Sequence, residues 1–132
     1  MIGLDTNILV RLFARDDLDQ YGAAVALLDD LPNKEKAVVN IVAVIELLWT
    51  LRKVYKFESE QLASVIRRLS EHPKIILPDR DLLRDAAHRS LEEGGDIPDH
   101  LIALINKGFG CSGTYTFDEN AGQTSDFVLL RK

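Results

Sequence analysis

The chain has 132 residues, 46% of them hydrophobic, and a formal net charge of −5, a size and composition that suit one single domain over residues 1–132 with a real core. No apolar run approaches the roughly 20 residues of a membrane span, the N-terminus lacks the basic flank of a signal peptide, and the one cysteine, Cys111, excludes an internal disulfide or a cysteine-based zinc site. A cytoplasmic protein is expected, and its acidic surplus speaks against an ordinary nucleic-acid binder unless several acids belong to one site.

In chain order, "MIGL" reads as a short buried strand, and "TNILVRLFAR" carries apolar residues at Ile8, Leu9, Leu12 and Phe13, a helical spacing. "DDLDQYGAAVALLDDL" continues helical until Pro32 and Asn33 break it. "AVVN" is a second strand and "IVAVIELLWTLRKVY" a strongly apolar helix. "ESEQLASVIRRLSEH" is amphipathic, with Leu62, Val65, Ile66 and Leu69 as its stripe and Arg67 and Arg68 off it. After Pro73, "KIIL" is a third strand. "DRDLLRDAAHRSLEEGG" has the acidic start and Gly-Gly stop that the helix dipole and C-cap favour. "PDHLIALINKGFG" is a further helix, and "TYTF" and "FVLL" are the last strands. Short apolar strands alternating with helices imply an α/β fold with a mainly parallel sheet, and such sheets bind ligands beyond the carboxyl ends of their strands.

Two acids fall at those ends: Asp5 after "MIGL" and Asp118 after "TYTF". Asp96 and Asp99 open a helix, and Glu46 lies inside one. Most have an ordinary explanation beside the functional one. Asp5 suits an N-cap, Asp96 and Asp99 have capping-box spacing with Pro98 tolerated in the first turn, and Asp118 suits a turn before Glu119, Asn120 and Gly122. Glu46 lies too deep to cap its helix. Val42 and Trp49 flank it at helical spacing, so it is expected to border the apolar face, where a carboxylate needs a cationic partner, a proton or a bound cation. Arg52 and Lys53 are almost two turns away, which weakens a local pair and leaves a distant one open.

Converging carboxylates repel, and either a pKa rises or a divalent ion binds. Oxygen-only ligands indicate Mg²⁺ or Mn²⁺ rather than zinc. Such an ion also takes phosphate oxygens, activates water and stabilises in-line displacement at phosphorus.

Four motifs in order carry a resemblance: "LDTNILVRLFARDD", "VIELLW", "DIPDHLIAL" and "TYTFDENA". Over nearly its whole length the chain resembles the PIN domain family, and specifically the VapC-type toxins of type II toxin–antitoxin systems. The resemblance implies a PIN-like three-layer α/β/α sandwich with a mainly parallel sheet of four to five strands. It implies a Mg²⁺- or Mn²⁺-dependent endoribonuclease whose acidic quartet, catalytic and metal-binding, is Asp5, Glu46, Asp99 and Asp118. Asp5 and Asp99 would be the principal ligands, Asp96 a supporting acid, and Thr6, Asn7 and Thr116 the polar residues that orient carboxylates or water. The partners implied are RNA, a VapB-like antitoxin and a second copy in a homodimer or hetero-oligomer, for which "VAVIELLWTL" carries surplus apolar residues.

The chain departs from the family's pattern in two places. The residue after the third acid, often small, is His100, which reads as a half-exposed helix residue or as a contact to substrate phosphate. The loop after Asp118 lacks the basic residue that often follows there. Without the five acids the chain is neutral, and Arg11 and Arg15 are the basic substrate-binding candidates at the first helix, though for either alone a solvated helix face is the better reading.

Other readings remain open on the sequence. One is a PIN nuclease in RNA maturation, or acting on DNA, with no toxin role. An Asp-nucleophile phosphatase needs a second Asp where Asn7 stands, and a receiver-like phospho-acceptor needs a Lys after a late strand that is missing after "TYTF". A non-catalytic module that keeps the acidic pocket is the last.

Overall fold

The computed structural model describes all residues, 1–132, and every expected element is present. The chain divides into two compact units, Met1–Arg80 and Asp81–Lys132. The first contains β1 (Ile2–Gly3), α1 (Thr6–Ala14), α2 (Leu18–Asp29), β2 (Ala37–Val38), α3 (Ile41–Lys53), α4 (Ser59–Glu71) and β3 (Ile75–Ile76). The second contains α5 (Arg80–Glu93) from its second residue on, α6 (Ile97–Gly108), β4 (Thr114–Thr116) and β5 (Phe127–Leu129), with a 3₁₀ turn at Ala121–Gln123.

In the first unit β1, β2 and β3 form a parallel sheet in that order, with Ile2 opposite Ala37 and Ala37 opposite Ile75. Each crossover consists of two helices, which gives parallel strands the long return they need. Local chemistry sets the helix starts. Asp5 caps α1, Asp17 accepts from the Gln20 N–H, and Asn40 accepts from the Ala43 N–H at 3.0 Å. Arg15 ends α1 in the left-handed region at φ 55°. The buried face of α3 is Ala43, Val44, Leu47, Leu48 and Leu51, the i, i+4 pattern of a helix pressed on a core. Leu9, Leu47, Leu48 and Leu51 are fully buried, and each contributes about 1.5–3 kcal/mol by leaving water. The α4 stripe is as expected: Leu62, Val65, Ile66 and Leu69 are buried, and Arg67 and Arg68 are exposed.

In the second unit β4 and β5 also run parallel, Tyr115 opposite Val128. Parallel strands therefore occur throughout, in an α/β fold, but the hydrogen-bonded ladder is divided into three strands and two rather than continuous. Strands of two or three residues hold so few ladder bonds that helix burial must carry the core. In α6 the buried residues are Ile97, Pro98, His100, Leu101, Ala103 and Leu104, while Ile102, Ile105 and Phe109 remain exposed.

Candidate functional site

The sequence candidates form one group in each unit. In the first, Asp5 lies two residues after β1 and caps α1, with its Oδ1 accepting from the Thr6 N–H at 2.8 Å. The Thr6 hydroxyl donates to Glu46 Oε2 at 3.2 Å. One threonine thus holds carboxylates from the start of α1 and the middle of α3, and a capping role for Asp5 coexists with this neighbourhood. Asn7, next along α1, is exposed.

Glu46 requires a correction. It is exposed, not desolvated. The flanking Val42, which suggests burial by its residue type, is itself 61% exposed. The core face of α3 runs through residues 43, 44, 47, 48 and 51, so Glu46 needs no compensation for burial. Lys53 stacks on Trp49, 4.6 Å from the ring centre, and Arg52 donates to the Phe57 carbonyl at 3.1 Å.

In the second unit, Asp96 is the N-cap residue of α6 but makes no side-chain cap bond, so the expected capping box is not formed there. Asp99 lies in the first turn of α6, where the helix dipole favours an anion. Its carboxyl is nevertheless held above the usual carboxylate range, first by burial, then by repulsion from Asp96 and from Asp118, against a smaller opposite pull from His100. These three aspartates are therefore electrostatic neighbours. Asp118 Oδ1 accepts from the Asn120 N–H at 2.8 Å and the Ala121 N–H at 3.3 Å, which makes it the turn residue that the sequence suggests. Thr116 Oγ1 accepts from the Asp118 N–H at 3.0 Å, so Thr116 orients this acid through the backbone.

The three basic or imidazole candidates are otherwise engaged. Arg11 is paired with Asp16, whose other oxygen accepts from the Tyr55 hydroxyl at 2.6 Å. Arg15 stacks on Tyr21, 4.7 Å from its centre. His100 corrects the expectation of a half-exposed residue: it is 3% exposed, and its Nε2 donates to the Gly94 carbonyl at 2.7 Å. The ring therefore faces the chain and not solvent. A cavity of about 340 Å³ in the first unit is lined by Phe13, Arg15, Tyr21, Arg68 and His72, among others, and by none of Asp5, Thr6 and Glu46. Sequence reasoning missed Ser90, which is buried and donates to the Gly95 carbonyl at 2.6 Å; a serine on the apolar side of α5 next to a Gly-Gly pair was the available signal.

No three His, Cys, Asp or Glu side chains form a ready-made ligand cluster. The donors nonetheless fit a hard divalent cation in kind, being carboxylates and hydroxyls without thiolate or paired imidazoles. Mg²⁺ keeps several waters and takes only one or two protein carboxylates directly, so a sparse acidic group is sufficient. The raised proton affinity of Asp99 comes first from burial and then from the neighbouring carboxylates Asp96 and Asp118.

Parallel strands, acids at a strand end and at helix starts, and oxygen-only donors define the class of α/β proteins with an acidic group suited in kind to a divalent cation. The sequence matches the PIN domain family over residues 2–125, and the chain belongs to that family. PIN domains are a superfamily of metal-dependent nucleases, which act on nucleic acid. No curated protein matches the chain. No helix is long and apolar enough to cross a membrane.

Proposed function

We propose that this chain is an endoribonuclease that hydrolyses RNA phosphodiesters with Mg²⁺ or Mn²⁺, as the toxin of a VapBC-type pair in the cytoplasm. What supports the reading is that Asp99, partly buried in the first turn of α6, has the carboxylates of Asp96 and Asp118 as electrostatic neighbours in a member of a metal-dependent nuclease family. Asp5, Glu46, Asp99 and Asp118 are the acids assigned to the reaction, with Asp5 and Asp99 as principal ligands. Asp96 supports them by charge. Thr6 orients Glu46, and Thr116 orients Asp118. A bound divalent ion supplies the activation of water and the neutralisation of phosphate charge. No protein nucleophile would be needed: water would add to phosphorus, its proton passing to a carboxylate that does not hold the ion, while the phosphorus–oxygen ester bond breaks and the departing oxygen takes a proton from solvent. Asn7, exposed on α1, is assigned to orient carboxylates or water.

The toxin assignment is supported by the order and spacing of the four motifs in a chain of this length. Its partners are then a VapB-like antitoxin and a second copy of the chain; Val42 on α3, Val54 at its C-cap and Leu18 on α2 are among the exposed apolar residues available for them.

The test is cleavage of end-labelled RNA and DNA by wild type, Asp5→Asn and Asp99→Asn, with Mg²⁺, Mn²⁺ or chelator. Internal RNA cuts that require metal are expected. Each variant should lose more than the roughly 10–100-fold that removal of an outer partner of a metal ligand costs. Cleavage of DNA alone, or activity in chelator, overturns the ribonuclease reading. Co-expression with the product of an adjacent gene, with no complex and no inhibition, overturns the toxin role.

A further inference from the structure

Two buried polar side chains of the second unit have no part in the acidic set. Ser90, near the end of α5, is 4% exposed, and His100, in the first turns of α6, is 3% exposed. Both hold the connection between those helices. Ser90 Oγ donates to the Gly95 carbonyl at 2.6 Å and His100 Nε2 to the Gly94 carbonyl at 2.7 Å. The carbonyls are consecutive. Both glycines have positive φ, 78° and 82°, which glycine alone adopts without strain. A Cβ on Gly95 would lie 3.2 Å from His100 Nε2 and 3.5 Å from Thr124 Cγ2, so the turn lies directly against the ring.

The same turn leads straight into Asp96 and Asp99. Its far side meets the segment that carries Asp118. Thr124 Oγ1 donates to the Ala121 carbonyl at 2.7 Å, closing the 3₁₀ turn that Asp118 opens. Glu93, at the end of α5, accepts from the Ser125 N–H at 3.0 Å. The end of α5, the Gly-Gly turn and the 3₁₀ turn are thus one hydrogen-bonded scaffold.

An ordinary connection between two helices has no need of this. Gly94 and Gly95 are exposed, so water would satisfy turn carbonyls there, whereas burying an imidazole and a hydroxyl carries a desolvation cost. Two adjacent glycines are also the most mobile joint the chain can make. The consequence of the two bonds is to remove that freedom one residue before the acids.

We propose that Ser90 and His100 are positioning residues that lock the Gly94–Gly95 turn and so fix the placement of Asp96 and Asp99 for binding a divalent cation. The proposal rests on the metal-dependent reading above. Neither residue touches substrate. Each acts through the backbone, as outer partners of metal ligands do.

Mn²⁺ titration of the full-length, metal-free protein by calorimetry tests it, together with amide hydrogen exchange over residues 95–99 without metal and separate kcat and KM for RNA. Ser90→Ala and His100→Leu should each weaken Mn²⁺ binding by about 10-fold or more. Both should speed exchange at Ile97 and Asp99 and lower kcat with little change in KM. His100→Gln, whose amide nitrogen reaches the place of Nε2, should recover most of the lost affinity. Wild-type Mn²⁺ affinity and exchange in folded Ser90→Ala and His100→Leu overturn the clamp, as does His100→Gln behaving like His100→Leu. Should His100→Leu fail to fold, Ser90→Ala decides alone, since it removes one hydroxyl. Asp99→Asn separates the two levels. If wild type binds no Mn²⁺, or Asp99→Asn leaves its affinity unchanged, the reading of the site itself fails. If Asp99→Asn abolishes binding while Ser90→Ala leaves it intact, only the clamp fails.

Discussion

The Thr6 hydroxyl donates to Glu46 Oε2 at 3.2 Å, joining the first residue of α1 to the exposed side of α3, while the Thr6 amide donates to Asp5. A single side chain therefore sets the relative orientation of two carboxylates far apart in sequence. Thr6→Val keeps the shape and the amide but removes the hydroxyl. A hydrogen bond of this kind contributes about 0.5–1.5 kcal/mol to stability, so the melting temperature should shift only slightly. RNA cleavage should fall about 10-fold, as for loss of an outer partner, and Thr6→Ser should restore it. Full activity in Thr6→Val would remove Thr6 from the site.

Asp118 has two separable roles, in charge and in turn formation. Asp118→Asn retains an oxygen to accept from the Asn120 and Ala121 amides, so its stability should stay near that of wild type, with cleavage lost. Asp118→Ala leaves those donors without their acceptor and should cost about a further 1 kcal/mol in chemical denaturation. Equal stability of the two variants would show that the turn does not depend on this carboxylate.

The elevated proton affinity of Asp99 has a pH signature. Burial and the charges of Asp96 and Asp118 favour its protonated form in the folded state. Its contribution to stability is therefore full below the unfolded pKa of about 3.9 and is lost as pH rises through the higher folded value. Asn cannot ionise, so metal-free Asp99→Asn should gain in melting temperature on wild type between pH 3 and pH 7. A constant difference across that range contradicts the repulsion. Mg²⁺ at 100 times its Kd should then stabilise wild type by about 2.7 kcal/mol and Asp99→Asn far less.

Arg89 and Asp126 form a half-buried ion pair, their side chains 23% and 18% exposed, between α5 and the start of β5. Asp126 also lies 3.6 Å from Lys107 Nζ. Arg89→Met should cost about 1.5–3 kcal/mol, the range for a hydrogen bond to a charged group, read as a lower urea midpoint. Combining it with Asp126→Asn should cost less than the sum of the two single changes. Strict additivity would mean that the pair contributes no coupling.

Element order was legible in the sequence because helix and strand periods are local properties. The α4 stripe, the Asp5 cap and the breaks at Pro32 and Pro73 all follow from neighbours within one or two turns, whereas Asn40, read as the end of a strand, proved to be the cap of α3. Glu46 shows the limit. Its apolar neighbours marked it as buried, but residue type is not burial, and Val42 itself is exposed. His100 shows the converse, for it lies on the same face as Ile97, Leu101 and Leu104, and that spacing already pointed inward.

By itself the sequence determined the α/β class, the run of elements and which acids stand at a strand end or a helix start. Only the tertiary structure decided that Thr6 meets Glu46, that Asp99 feels Asp96 and Asp118, and that Ser90 and His100 hold the glycine turn. Periodicity acts over a few residues, whereas a carboxylate's proton affinity and a side chain's partner depend on which distant segments the packed core brings within a few ångströms.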